Sequence, residues 1–166
     1  MRCAECGFDW DGASASLLVD FGAAATIRLP DDDALARRRP DPAVWSALEY
    51  TAHLRDALWF YDDRIRRTLV EDRPRLDAFG FADACEPLGY NGEVPAQTVE
   101  QLTEQANTLV DRFAALDVAQ WARVAIGSDG DERTVLVLAR RGAHEVRHHA
   151  LDIRRVLGDT DAPGIE

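Results

Sequence analysis

Apolar positions in this chain recur three and four residues apart over long stretches and alternate almost nowhere. That spacing gives a helix one buried face. Residues 14–28 (SASLLVDFGAAATIR) form the first such stretch, with Ser14 as N-cap, and Pro30 and the acidic run 31–33 end it. DDDALARRR reads as a short helix, acids at its start and arginines at its end, as the helix dipole favours. Asp41-Pro42 supplies a cap and a first-turn proline for a long helix running to Glu71, ended by Pro74. Residues 73–95 hold four prolines and glycines besides Asn91-Gly92 and Pro95, and read as loop. A third long helix starts near Pro95 and covers VEQLTEQANTLVDRFAAL, and DVAQWAR adds one more turn. Residues 123–126 alone have strand character. A turn at 128–131 leads to Thr134, the cap of a last helix that ends at Gly158. Four long helices and one long loop predict an all-α protein, a four-helix bundle. The expected organisation is a head at 1–12, a bundle at 13–158 and a tail at 159–166.

Composition changes this picture little and narrows the function. The chain has 166 residues, enough for one domain with a substantial core, and 46% of them are apolar. Its net charge is −11 and its pI near 4.7. Phosphate neutralisation needs a basic surface, so nucleic acid is not an expected partner. The same charge disfavours an anionic membrane, and no apolar run approaches a membrane span. The first residues, MRCAECGFDWDG, lack the basic and apolar regions of a signal peptide. Three cysteines, Cys3, Cys6 and Cys85, are too few for a disulfide framework. These features together predict a cytoplasmic protein acting on a small molecule.

The chemistry concentrates in His144-Glu145-Val146-Arg147-His148-His149, which holds three of the four histidines. At about 100° per residue, Val135, Ala139, Val146, Ala150, Ile153 and Leu157 form the core stripe of the last helix. Glu145 and His149 stand at its edge, four apart and on one face. His144 and His148 are also four apart, on a stripe shared with Arg141 and Arg155. The wheel therefore favours Glu145 and His149 as the inward pair and leaves His144/His148 as the alternative. His53, the fourth histidine, lies on the second long helix among Ser46, Glu49, Tyr50, Ala57 and Phe60, and also looks inward. Three donors from two helices, with positions left open, are what a catalytic metal centre needs. A core histidine bonded to a neighbour is the plainer reading of His53 taken alone.

The string HEVRH matches H-E-x-x-H, in which two histidines hold zinc and the glutamate acts as base. Its metzincin extension fails, because Leu151 and Arg154 stand where Gly and His are required. Few residues follow, and nothing upstream reads as a substrate-holding sheet. An H-E-x-x-H metallohydrolase is a remote alternative.

Two segments resemble a known family. WSALEYTAHLRD at 45–56 and EVRHHALDI at 145–153 are similar to the second-helix and last-helix motifs of the DinB-like superfamily. That superfamily includes mycothiol-dependent maleylpyruvate isomerases and related thiol S-transferases. The resemblance implies a bundle of the DinB type whose metal ligands are His53, Glu145 and His149, with Asp152 at a polar supporting position. Glutamate in place of the more usual histidine is similar to the maleylpyruvate isomerase branch. The resemblance further implies a divalent metal, zinc or nickel, and a low-molecular-weight thiol as cosubstrate. The expected activity is thiol-dependent S-transfer or isomerisation, in which the metal delivers a thiolate. Glu49, one turn before His53, is a candidate to orient its ring. Tyr90 and Asn91 are candidates for the bundle mouth or for an ordinary turn.

The head carries Cys3-Ala4-Glu5-Cys6-Gly7, half of a zinc-ribbon pattern without a second cysteine pair in the chain. A second metal site, shared between the chains of a homodimer, and a redox pair are both open for Cys3 and Cys6. So is a turn with no catalytic role. A non-catalytic metal-binding or stress-associated bundle is the main alternative function, and a plain helical oligomerisation module is a further one.

Overall fold

Each long amphipathic stretch becomes a helix whose ends are fixed by local chemistry. The computed structural model describes residues 1–12, 14–78 and 88–158. The four long helices are α1 (Ser14–Ala24), α3 (Ala47–Val70), α4 (Pro95–Ala114) and α6 (Val135–Leu157); α2 (Asp33–Arg37) and α5 (Val118–Trp121) are short. Helix α3 packs against α4 and α6, and α1 closes the ring against the same two. The shared core includes Leu17, Phe21, Leu54, Leu58, Leu102, Leu109, Val135 and Val146, all essentially inaccessible to solvent. Gly142 on α6 lets Phe21 and Tyr61 come close. A Cβ there would lie 3.1 Å from Phe21 Cζ and 3.4 Å from Tyr61 Cδ2. Asp20 and Arg147 cross the α1–α6 contact with a 2.8 Å ion pair.

Three boundaries depart from the sequence reading. The first helix stops at Ala24 rather than residue 28, and Thr26 Oγ1 turns back to the Ala23 carbonyl. The second long helix starts at Ala47, not Pro42. Asp41 instead makes its own turn, accepting from Ala43 N at 2.8 Å, and Ser46 with Glu49 forms a reciprocal capping box five residues downstream. Finally, residues 124–126 do form a strand, and its partner was not foreseen. Strand β1 (Val124–Ile126) pairs antiparallel with β2 (Glu132–Thr134), in register Ala125 opposite Arg133. Arg75 adds a parallel bridge to Ile126. The Pro95 start, the Thr134 cap and the left-handed Gly158 end, at φ 88°, agree with expectation. The Ser14 cap, Cys85 and the tail at 159–166 lie outside the described residues or side chains.

Residues 88–94, just before α4, are held by specific contacts. Tyr90 is buried in a 3-10 turn (Tyr90–Gly92), and its hydroxyl donates to Asp56 Oδ2 at 2.7 Å. Asn91 accepts from Ser46 Oγ and donates to the Arg37 carbonyl. These two residues tie the loop to α2 and the start of α3.

The head is a small antiparallel loop. Arg2 bridges Asp9, Cys3 N donates to Phe8 O, and Gly7 takes φ 70°, a conformation that favours glycine. It lies on α6. Phe8 and Trp10 meet the His144 ring at centroid distances of 5.6 and 4.7 Å, and Arg140 reaches the Gly12 carbonyl at 2.7 Å. Among the described residues, no helix is long and apolar enough to cross a membrane.

Candidate metal centre

Helices α3 and α6 face each other across the core, so His53 meets the Glu145/His149 edge of α6. One donor atom from each of the three residues lies within 4.8 Å of the others. Glu145 Oε2 sits 3.7 Å from His53 Nε2 and 3.3 Å from His149 Nε2. The two rings are perpendicular, 4.7 Å apart between centroids. Trp45 packs on His53 at 5.1 Å, and Tyr50 stacks on His149 at 5.5 Å, so aromatic walls close one side.

Asp152 stands beside His149. Its Oδ2 is 3.0 Å from His149 Nδ1, which turns Nε2 toward Glu145. Glu49 has other partners: Arg39 forms a two-pronged ion pair with its carboxylate, and Oε2 also accepts from Ser46 N. Both of its oxygens thus serve the start of α3 rather than the His53 ring. Burial pushes the Glu49 carboxyl up, but Arg39 and the Ser46 N–H outweigh it and hold it below the usual range.

The electrostatics of the cluster are those of an anion between two imidazoles. Burial pushes the Glu145 carboxyl up, yet hydrogen bonds with His149 and His53 outweigh it and hold it well below the usual carboxylate range. Burial lowers His149, but Asp152 and Glu145 raise it to about 9. A proton on His149 balances the same carboxylates that a cation would balance.

The other histidine pair meets the head. His144 and His148 do not face a rim of arginines; the head covers them. Cys3, Cys6, His144 and His148 each present one donor within 4.8 Å of the rest. The wheel could not show this, because the covering residues come from the far end of the sequence. A signal was nonetheless present: C-x-x-C and H-x-x-x-H are the two halves of a four-ligand zinc pattern.

Glu145 also borders a cleft of about 440 Å³ whose walls include Trp10, Tyr61, Val137, Arg140 and Arg141. Tyr61, two turns beyond His53 on the same face of α3, went unnoticed in the sequence although its spacing placed it there. Burial, with Glu145 adding, pushes its phenol up to about 12, so it keeps its proton.

Fold and donor set define a helical bundle with a histidine–carboxylate cluster between two of its long helices. The chain belongs to the DinB superfamily, whose sequence model matches residues 23–153. The structure is similar to that of YfiT from Bacillus subtilis, with a TM-score of 0.63 and 15% identity over 85% of this chain and 78% of that one. YfiT is described as a probable metal-dependent hydrolase with an unusual four-helix bundle topology. No curated protein sequence gives a significant match.

Proposed function

We propose that this protein is a metal-dependent enzyme whose divalent ion is held by His53, Glu145 and His149. The observation that carries the reading is the convergence of those three donors from two helices, with Glu145 among them bordering a cleft. The set fits a cation: two imidazoles and one carboxylate match known catalytic sites and leave positions open. Asp152 fixes the ring of His149, as outer partners of metal-bound histidines do. A divalent ion held there would lower the pKa of a bound thiol or water and so supply a nucleophile at neutral pH.

The chain's own residues define the rest. Trp45 and Tyr50 keep water from one side of the cluster. Tyr61 holds its phenolic proton and can donate it in a hydrogen bond to a substrate oxygen. Arg140 and Arg141 make the cleft wall positive within an acidic protein, which favours an anionic small molecule. A low-molecular-weight thiol with carboxylate groups suits that wall, so thiol-dependent S-transfer or isomerisation is the activity proposed. Zinc and nickel both suit the donor set.

Hydrolysis by an activated water is the second reading, favoured by the description of the similar YfiT fold. It would use the same three residues and not the H-E-x-x-H string, whose histidines stand with the cysteines while its glutamate stands with His53. The test is metal content and activity together. Wild-type protein loaded with zinc or nickel is assayed with a panel of thiols and electrophiles, and with ester and amide substrates. His53→Ala and His149→Ala should each abolish turnover and lose one metal per chain. Retention of that metal by both variants would refute the assignment.

A further inference from the structure

We infer that Cys3, Cys6, His144 and His148 form a second metal site, a closed Cys₂His₂ zinc centre that fastens the head to α6. Four soft and borderline donors converge within 4.8 Å of one another. Around a tetrahedral zinc the same atoms would stand roughly 3.3–3.8 Å apart. Modest side-chain adjustments therefore close the site. The donors also match in charge, since two thiolates and two neutral imidazoles cancel a divalent ion. A neutral site suits the apolar cover that Phe8 and Trp10 provide.

Two independent features point to a ligand here. The backbone of the head already folds back around the two cysteines: Cys3 N donates to Phe8 O at 2.9 Å, and Gly7 N donates to Cys3 O at 3.0 Å. Gly7, at φ 70°, makes the tight turn that this arrangement needs. On the other side, His144 Nε2 and His148 Nδ1 are buried with no hydrogen-bond partner among the described residues. Buried polar atoms rarely go unsatisfied. Both cysteines are free thiols, available to a metal.

The two centres would differ in kind. The cluster with His53 offers three protein donors and borders a cleft, as a catalytic site does. The cysteine–histidine set offers four and is complete without substrate, as a structural site is. Its zinc would hold residues 1–12 over α6, and with them Trp10, which lines the cleft beside Glu145. The head would thereby become a fixed wall of the substrate site.

The experiment uses full-length, reduced protein and two probes, zinc and cobalt(II). In His149→Ala, where the three-donor cluster is broken, one zinc per chain should remain. Cobalt substitution of that variant should give a thiolate-to-metal charge-transfer band and the intense visible bands of a tetrahedral ion. The double variant Cys3→Ser/Cys6→Ser should lose the charge-transfer band and one zinc per chain while keeping the metal bound by His53. X-ray absorption at the zinc edge of His149→Ala needs no cysteine variant to fold, and should show two sulfur and two nitrogen neighbours. Absence of the charge-transfer band in both wild type and His149→Ala overturns the inference. So does a band that survives Cys3→Ser/Cys6→Ser, or a zinc edge without sulfur. Loss of metal from the three-donor cluster alone would leave this site standing and refute only the catalytic reading.

Discussion

Replacing Asp152 tests whether the cluster between α3 and α6 is organised as a metal site. Asp152 Oδ2 lies 3.0 Å from His149 Nδ1, fixing the ring and its tautomer. Removing such a partner typically weakens metal binding about 10–100-fold, or about 1.4–2.7 kcal/mol. Asp152→Asn keeps an acceptor and loses the charge, and belongs at the low end; Asp152→Ala loses both. Proton competition must be separated from this effect. His149 is raised to about 9, with Asp152 among the causes, so at pH 7 the wild-type ring holds a proton that metal must expel. Without Asp152 the proton leaves more easily, which masks part of the loss at pH 7. At pH 9 and above that compensation fades, so the penalty should grow with pH between 7 and 9. The assay is zinc competition against a chromophoric chelator at both values, with helical circular dichroism as a control for folding. The cobalt–thiolate band of the cysteine site reports any disturbance of neighbouring His148, whose Nε2 lies 3.8 Å from the same carboxylate. Affinities of both variants within twofold of wild type at pH 9 would refute the orienting role.

Two further predictions concern the scaffold. Glu49 has a lowered pKa in the fold, so its stabilisation is present above about pH 4.5 and is lost as pH falls through the folded value. Glu49→Gln should cost about 1–3 kcal/mol at pH 7 and flatten the acid side of the stability profile in urea titrations; an unchanged slope would contradict the ion pair with Arg39. Gly142→Leu should destabilise by about 1–3 kcal/mol in the same titrations, because Phe21 is fully buried and has no room to yield. A neutral result there would mean that α1 and α6 are farther apart than described.

The helices were legible because 3.6-residue periodicity over twenty positions outweighs local noise. Local chemistry was legible only where one signal stood alone. At Pro95 and Thr134 it did, and the starts of α4 and α6 followed. At the start of α3 two signals competed, Asp41-Pro42 and Ser46/Glu49, and the reciprocal capping box prevailed. The second strand of the hairpin gave no signal because three residues are too few for alternation to show. On α6 the wheel put Glu145/His149 and His144/His148 on different faces, and the first pair meets His53 while the second meets the cysteines. It could not say what covers the second stripe, since burial by Phe8 and Trp10 is a tertiary fact. The Cys₂His₂ set was therefore present in the sequence as two halves with nothing to join them.

The clasp between the head and α6 also bears on how the molecule assembles. Its donors are separated by nearly the whole bundle, so closing it costs loop entropy that only a largely folded chain has already met. The cysteines and histidines should come together late, after α1, α3 and α6 have packed. A metal held there would chiefly slow opening of the finished structure, since contacts made after the transition state act on unfolding rather than folding. It would work as a latch on a completed fold, not as a seed for one.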